Sequence, residues 1–362
     1  MGKVDFFAEL DRRCQQVQEY ILNPRFTDRF FPEDIKWAAT AYIRYGGKRL
    51  RPAILLFSCG AVGGEEATAL PAAAAVELFH TWTLVHDDII DRDNKRRGND
   101  TVHHHFAQPE HYDKQCCKLT AEEAQHYGVS IAIMTGDIQH GWGISMMTEL
   151  TTRCNLPPEI TLHLINELDT NVLNTLVEGE VLDIQFAHRD FPTLTPADIE
   201  DMLWKKTGAL YDFCGRAGAM IGLHSTDDPR ITAVSKFAAL CGTAFQLQDD
   251  ILGVIGKEEK LGKPVGSDLR EGKRTLVVYQ AYENANDHDK KVLLSVLGNP
   301  NASDKAIEEV TKMLRDLGGI DHVALRARKL IEQAHPYLDQ LPSSQYRDLL
   351  AYWADYMIQR SF

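Results

Sequence analysis

From Ala67 to Ile90 the chain carries no lysine or arginine, and its central run, ALPAAAAVELFHTWTLV, is apolar around the whole circumference of a helix. A helix of that kind is stable only when other helices surround it, so it predicts the centre of a bundle. It is a poor membrane span, because Pro71, Glu77 and His80 interrupt it and Asp87, Asp88 and Asp91 close it. Carboxylates at the end of a buried helix must be paired or bind a metal. That requirement governs how the rest of the sequence is read.

Asp87 and Asp91 are four residues apart and Asp88 and Asp91 three apart, so all three can project from one side of the helix. Arg96 and Arg97 follow at once. Hard oxygen donors suit Mg²⁺, which takes one or two protein carboxylates and completes its octahedron with water and phosphate. Guanidinium forks suit phosphate itself. The stretch therefore predicts a magnesium-diphosphate site, against the plainer alternative of a solvated, charged helix end. A second acidic pair favours the former. In FQLQDDILG, Gln246 precedes Asp249 by three residues and Asp250 by four, at the end of another apolar run, FAALCGTAFQL.

Helices are expected over 4–22 and 33–45. Next comes YGGKRLRP, where Gly46 and Gly47 break the helix and Lys48, Arg49 and Arg51 follow, a pattern that lets backbone and cations approach an anion. His80 lies seven residues before Asp87, about two turns below it on the same side. Residues 103–128 are rich in histidine and polar residues. They lack the spacing of a zinc site and read as an inserted loop or lid. Glu180 and Asp183 are three apart and either face a site or solvate a helix face. Thr195 and Pro196 start a helix that carries Lys205, Lys206 and Thr207. Lys263, Lys273 and Arg274 cluster after the second acidic pair, and helices are expected over 303–317, 319–335 and 344–360. No alternating β pattern of useful length is found. The expectation is all-α, with one domain over 1–362.

A net charge of −13 argues against nucleic acid or an anionic membrane surface as the main partner. The N-terminal residues show no apolar core before their charges, so no secretory leader is expected. Seven cysteines, scattered apart from Cys116 and Cys117, then suggest free thiols in a reducing cytoplasm.

Taken together, GGKRLRP, HDDIIDRDNKRRG, the Lys206-Thr207 pair, FQLQDDILG and LGKPVGSDLREGKRT resemble the trans-polyprenyl diphosphate synthase family, in the family's order, over roughly residues 40 to 280. The resemblance implies an all-α bundle around a central cavity. It also implies condensation of isopentenyl diphosphate with an allylic diphosphate, about three Mg²⁺ ions per site, and a homodimer. Asp87, Asp88 and Asp91 match the family's first aspartate motif, and Asp249 and Asp250 its second. Arg96, Lys206, Thr207, Gln246 and Lys263 match contacts to the allylic diphosphate. Lys48, Arg51, His80 and Arg97 match the isopentenyl diphosphate pocket, with Gly47 at its tight turn. The departing diphosphate is the implied base. One departure is clear: Gly253 stands where the second motif usually has a third aspartate.

The resemblance also bears on product length. An isoprenoid tail would run down the helix below Asp87, where Thr83, Trp82 and Phe79 lie four, five and eight residues earlier. A large ring there would stop growth, because filling space is what aromatic side chains do best. The small Thr83 and the absence of an insertion in the first motif favour C20 geranylgeranyl diphosphate over C15 farnesyl diphosphate; the alternative is that Trp82 only packs the core. A class I terpene cyclase would not need GGKRLRP, His80 or Arg97, and a regulatory subunit typically loses the aspartates retained here.

Overall fold

The computed structural model describes residues 5–112, 118–255 and 266–359. Helices dominate, and the strands among the described residues are two-residue pieces, Lys95–Arg96 and Asn99–Asp100, paired antiparallel as a small hairpin. The central helix, Leu70–Ile90, starts with Pro71 in its first turn and buries Ala72 to Phe79 almost without interruption. It lies against Leu50–Ala61 on one side and the long helix Ala121–Met147 on another. Small residues make that approach possible: a Cβ on Gly143 would come within 3.2 Å of the Ala75 carbonyl oxygen.

The second acidic pair sits near the end of Pro229–Ile255, a helix that buries Phe237, Ala238, Cys241 and Leu247. Between the two aspartate helices stand Leu173–Ala187 and a helix that begins at Pro196. Its N-terminus is capped as its sequence suggests, with the Thr195 hydroxyl accepting from the Asp198 amide at 3.2 Å. A π-helical turn over Trp204–Gly208 separates Pro196–Leu203 from Ala209–Leu223. Such turns cluster at functional positions, and this one carries Lys205, Lys206 and Thr207. Gly179 lets the neighbouring helix close on it, since a Cβ there would stand 2.3 Å from the Lys206 amide nitrogen.

The other helices follow the expected ranges closely: Phe6–Ile21, Glu33–Arg44, Asp304–Asp316, Gly319–Leu338 and Gln345–Gln359. Within 103–128, Val102–Phe106 is a short helix whose Val102 and Phe106 are buried with Ile35, Tyr42, Val85 and Ile131 in a second, smaller core. The polar histidines between them disguise this burial in the sequence. Cys116 and Cys117 lie outside the described residues, as does Lys263. The described cysteines, Cys14, Cys59, Cys154, Cys214 and Cys241, are all free thiols. No helix among the described residues is long and apolar enough to cross a membrane.

Candidate active site

Where the two aspartate helices end, a cavity of about 480 Å³ opens. Its polar rim includes Asp87, Arg96, Glu180, Lys206, Gln246 and Asp249. Its wall runs along Ile90, Leu176, Val177, Val181 and Ile184 to Thr83 and Trp82. Behind Trp82 stands Phe79, fully buried, with the two ring centres 5.0 Å apart and edge to face. The His140 ring packs 5.3 Å from Trp82 and 5.7 Å from Phe79.

The three aspartates of the first motif do not share one role. Asp87 faces the cavity. Consecutive residues lie about 100° apart on a helix, so Asp88 turns inward and is fully buried. There the Arg96 Nε donates to both its oxygens, at 2.8 and 2.9 Å, and Arg96 Nη2 adds a further short contact. The Tyr42 hydroxyl donates to Asp88 Oδ2 from the other side. Asp91, at the helix end, receives the Lys273 ammonium at 3.2 Å. The one-sided projection expected from spacing thus holds for Asp87 and Asp91, while Asp88 orients a guanidinium. Tyr42 escaped notice because an aromatic residue in an amphipathic helix carries no local signal.

Burial pushes the Asp87 carboxyl up to about 7, with Lys206 opposing the rise and Glu180 adding to it. Lys206 reaches Glu180 at 2.7 Å and Asp183 at 2.6 Å. Burial disfavours its charge, but Asp183, Glu180 and Asp87 outweigh that and hold the ammonium protonated. Glu180 and Asp183 therefore face the site rather than solvent. Across the cavity the Thr207 hydroxyl donates to Gln246 Oε1 at 2.8 Å, and Gln246 Nε2 donates to Asp250 Oδ1 at 2.9 Å. The buried Asp250 Oδ2 has no hydrogen-bond partner among the described residues, and burial pushes this carboxyl well above its ordinary range.

An orphaned carboxylate oxygen and a second carboxyl starved of solvent are what a hard divalent cation would satisfy. The donor set is all oxygen, as Mg²⁺ requires. Among the described residues no three His, Cys, Asp or Glu side chains converge closely enough to hold a metal alone. That fits an ion shared with water and a phosphorylated substrate.

A second cavity, of about 290 Å³, adjoins the first and is lined by Gly47, Lys48, Arg49, Glu77 and Tyr211. Arg51, His80, Arg97 and Phe245 line both cavities. Arg51 Nη1 lies 3.2 Å from His80 Nε2, and its guanidinium rests 4.4 Å above the Tyr211 ring. Burial pushes His80 well below its usual range, with Arg51 and Arg97 pushing the same way, so the ring is neutral near pH 7 and Nε2 accepts from Arg51. Gly47 has φ +138°, a conformation suited to glycine. Phe245 and Tyr211 read as ordinary helix interior in the sequence, and Glu77 reads only as a break in an apolar run. Most of the sequence-based set lines the two joined chambers; the exceptions are the inward-turned Asp88, Phe79 behind Trp82, Lys263, and Asp91 and Asp250, which meet Lys273 and Gln246 beside the chambers.

The polyprenyl synthetase family model matches residues 32–314, a wider span than the motifs alone suggested. A geranylgeranyl diphosphate synthase of Methanosarcina mazei is 35% identical over 331 residues, covering 91% of either chain. The crystal structure of a geranylgeranyl pyrophosphate synthetase from Pyrococcus horikoshii superposes with a TM-score of 0.82 at 33% identity, over 99% of each chain. A geranylgeranyl pyrophosphate synthase from Corynebacterium glutamicum, complexed with isoprenyl diphosphate and magnesium, gives a TM-score of 0.85 at 25% identity, over 99% of this chain and 100% of that one. With its all-helical fold, two aspartate helices and paired cavities, the chain belongs to the polyprenyl synthetase family and is a short-chain prenyltransferase.

Proposed function

We propose that the chain condenses isopentenyl diphosphate with an allylic diphosphate and releases geranylgeranyl diphosphate as its main product. The observation that carries this reading is the junction of the two cavities at Arg51, His80, Arg97 and Phe245. Cations there can hold one diphosphate, while the larger cavity offers a polar rim and an apolar wall for a second substrate and its tail. Lys206 and Arg96, both held in place by carboxylates, bind the allylic diphosphate, and Thr207 and Gln246 fix its orientation. Lys48, Arg51 and Arg97 bind the isopentenyl diphosphate, and neutral His80 keeps Arg51 aimed. Fixed charges in a largely dry site stabilise a leaving anion without reorganising as the bond breaks.

Magnesium, about three ions by family resemblance, would be held by Asp87, Asp91, Asp249 and Asp250 and would neutralise the charge developing on the departing diphosphate. Asp88 acts through Arg96 instead. The departing diphosphate, retained by Lys206 and Arg96, is placed to take the proton lost from the coupled product. Trp82, backed by Phe79 and His140, ends the tail channel, and the smaller Thr83 leaves room beside it. Family resemblance favours a homodimer, and the five free thiols among the described residues favour a reducing, cytoplasmic setting.

The test is a product assay with the purified chain, Mg²⁺, isopentenyl diphosphate and each of the C5, C10 and C15 allylic diphosphates. A C20 alcohol after dephosphorylation, from every primer, is the expected result. A C15 product alone would place the floor higher than Trp82. No elongation from any primer would overturn the reading.

A further inference from the structure

Gly253 stands three residues after Asp250, on the same helix, and so removes a carboxylate from the second acidic motif. The space above it is nevertheless filled by one. A Cβ built on Gly253 would lie 2.5 Å from Asp268 Oδ2, closer than real atoms approach. Asp268 belongs to a separate short helix, Ser267–Glu271. On the neighbouring turn, Asp250 is 6% exposed, with Oδ1 engaged by Gln246 and Oδ2 buried without a hydrogen-bond partner among the described residues. Asp268, Asp183 and Asp249 all press negative charge on it. Lys273, which lies 3.8 Å from Asp268 Oδ1, is drawn more closely to Glu271 at 2.8 Å and to Asp91 at 3.2 Å.

We infer that Asp268, fifteen positions beyond Gly253, supplies the carboxylate that Gly253 omits, so that a divalent cation held at Asp249 and Asp250 together with water and diphosphate is shared with it. Glycine at 253 leaves room for this arrangement, because a side chain there would push the Asp268 carboxylate aside. Binding of the cation would also tie Ser267–Glu271 to the second aspartate helix. The inference rests on the divalent-metal reading of the site given above.

Mn²⁺ binding to the full chain, measured by electron paramagnetic resonance with inorganic pyrophosphate present, tests it without turnover. Asp268→Asn should weaken Mn²⁺ affinity by about tenfold or more while leaving the helical circular dichroism unchanged. The double variant Gly253→Asp/Asp268→Ala should regain near wild-type affinity, because the carboxylate is returned from the other helix into the space vacated. Unaltered affinity in Asp268→Asn would overturn the inference. A loss that the double variant does not restore would overturn it too, since Asp268 would then act only through Lys273. Failure of the wider metal reading looks different: Asp87→Asn and Asp249→Asn would both bind Mn²⁺ as the wild type does.

Discussion

The Arg97 guanidinium occupies the place where Gly47 has no side chain: a Cβ on Gly47 would stand 2.6 Å from Arg97 Cζ. With φ at +138°, the same position is strained for any other residue. Gly47→Ala should therefore displace Arg97 and weaken one charge-assisted contact to isopentenyl diphosphate. The expected result is a KM for that substrate raised by about tenfold or more, with the KM for the allylic substrate nearly unchanged. Steady-state kinetics with each substrate varied in turn would decide it, and an equal rise in both would sink the assignment.

Asp88 and Tyr42 form one arrangement around Arg96. Tyr42→Phe removes a hydroxyl that donates to Asp88 and accepts from the Val102 amide at 3.3 Å. It should raise the KM for the allylic diphosphate a few-fold while leaving the Mg²⁺ concentration for half-maximal activity unchanged. Asp88→Asn should act in the same direction and more strongly, because a buried guanidinium loses its counter-charge. A shifted Mg²⁺ requirement in Tyr42→Phe would mean that Asp88 holds metal after all.

Asp87 predicts a dependence of stability on pH. Burial raises its folded-state pKa from the ordinary carboxylate range to about 7. The unfolded chain therefore gives up this proton first, and the penalty on the folded state grows as pH rises toward 7 and is complete above it. Removing the charge removes the penalty. In the presence of EDTA, Asp87→Asn should melt above the wild type at pH 8 and show a smaller difference at pH 5, although it should be inactive. Equal melting temperatures at pH 8 would contradict the cause given for the shift.

Trp82 and Phe79 are two layers of one floor, and they should not be interchangeable. Trp82→Ala opens the cavity directly and should lengthen products by at least one C5 unit. Phe79→Ala leaves Trp82 in place and should lose stability, by about 3–5 kcal/mol for a buried ring, with little change in product. The double variant should extend products further than Trp82→Ala alone. Chromatography of the dephosphorylated alcohols gives the answer, and longer products from Phe79→Ala alone would reverse the order of the layers.

How much of this was legible in the sequence depended on whether a residue broke its local pattern. Asp87 and Asp249 stood out because acidic groups closing apolar helices need an explanation, and the structure brings both to one cavity. Gly47 and the basic residues after it stood out in an otherwise acidic chain. Asp88 was grouped with its neighbours by spacing, but the 100° step between adjacent helical residues separates it from them. Tyr42 and Tyr211 break no pattern, and only packing brings one to Asp88 and the other to the second cavity. Asp268 was hidden for another reason: its relationship to Gly253 joins two helices and exists only in three dimensions.

The π-helical turn at Trp204–Gly208 is equivalent to one residue inserted into an otherwise α-helical run. Deleting a single residue there would relieve the widened turn, yet it would rotate everything downstream by about 100° about the helix axis. Lys206 would leave Glu180 and Asp183, or Tyr211 would leave Arg51, because no α-helical register satisfies both. That extra residue is the phase-setting element between the two chambers, and a helix of ideal regularity could serve only one of them.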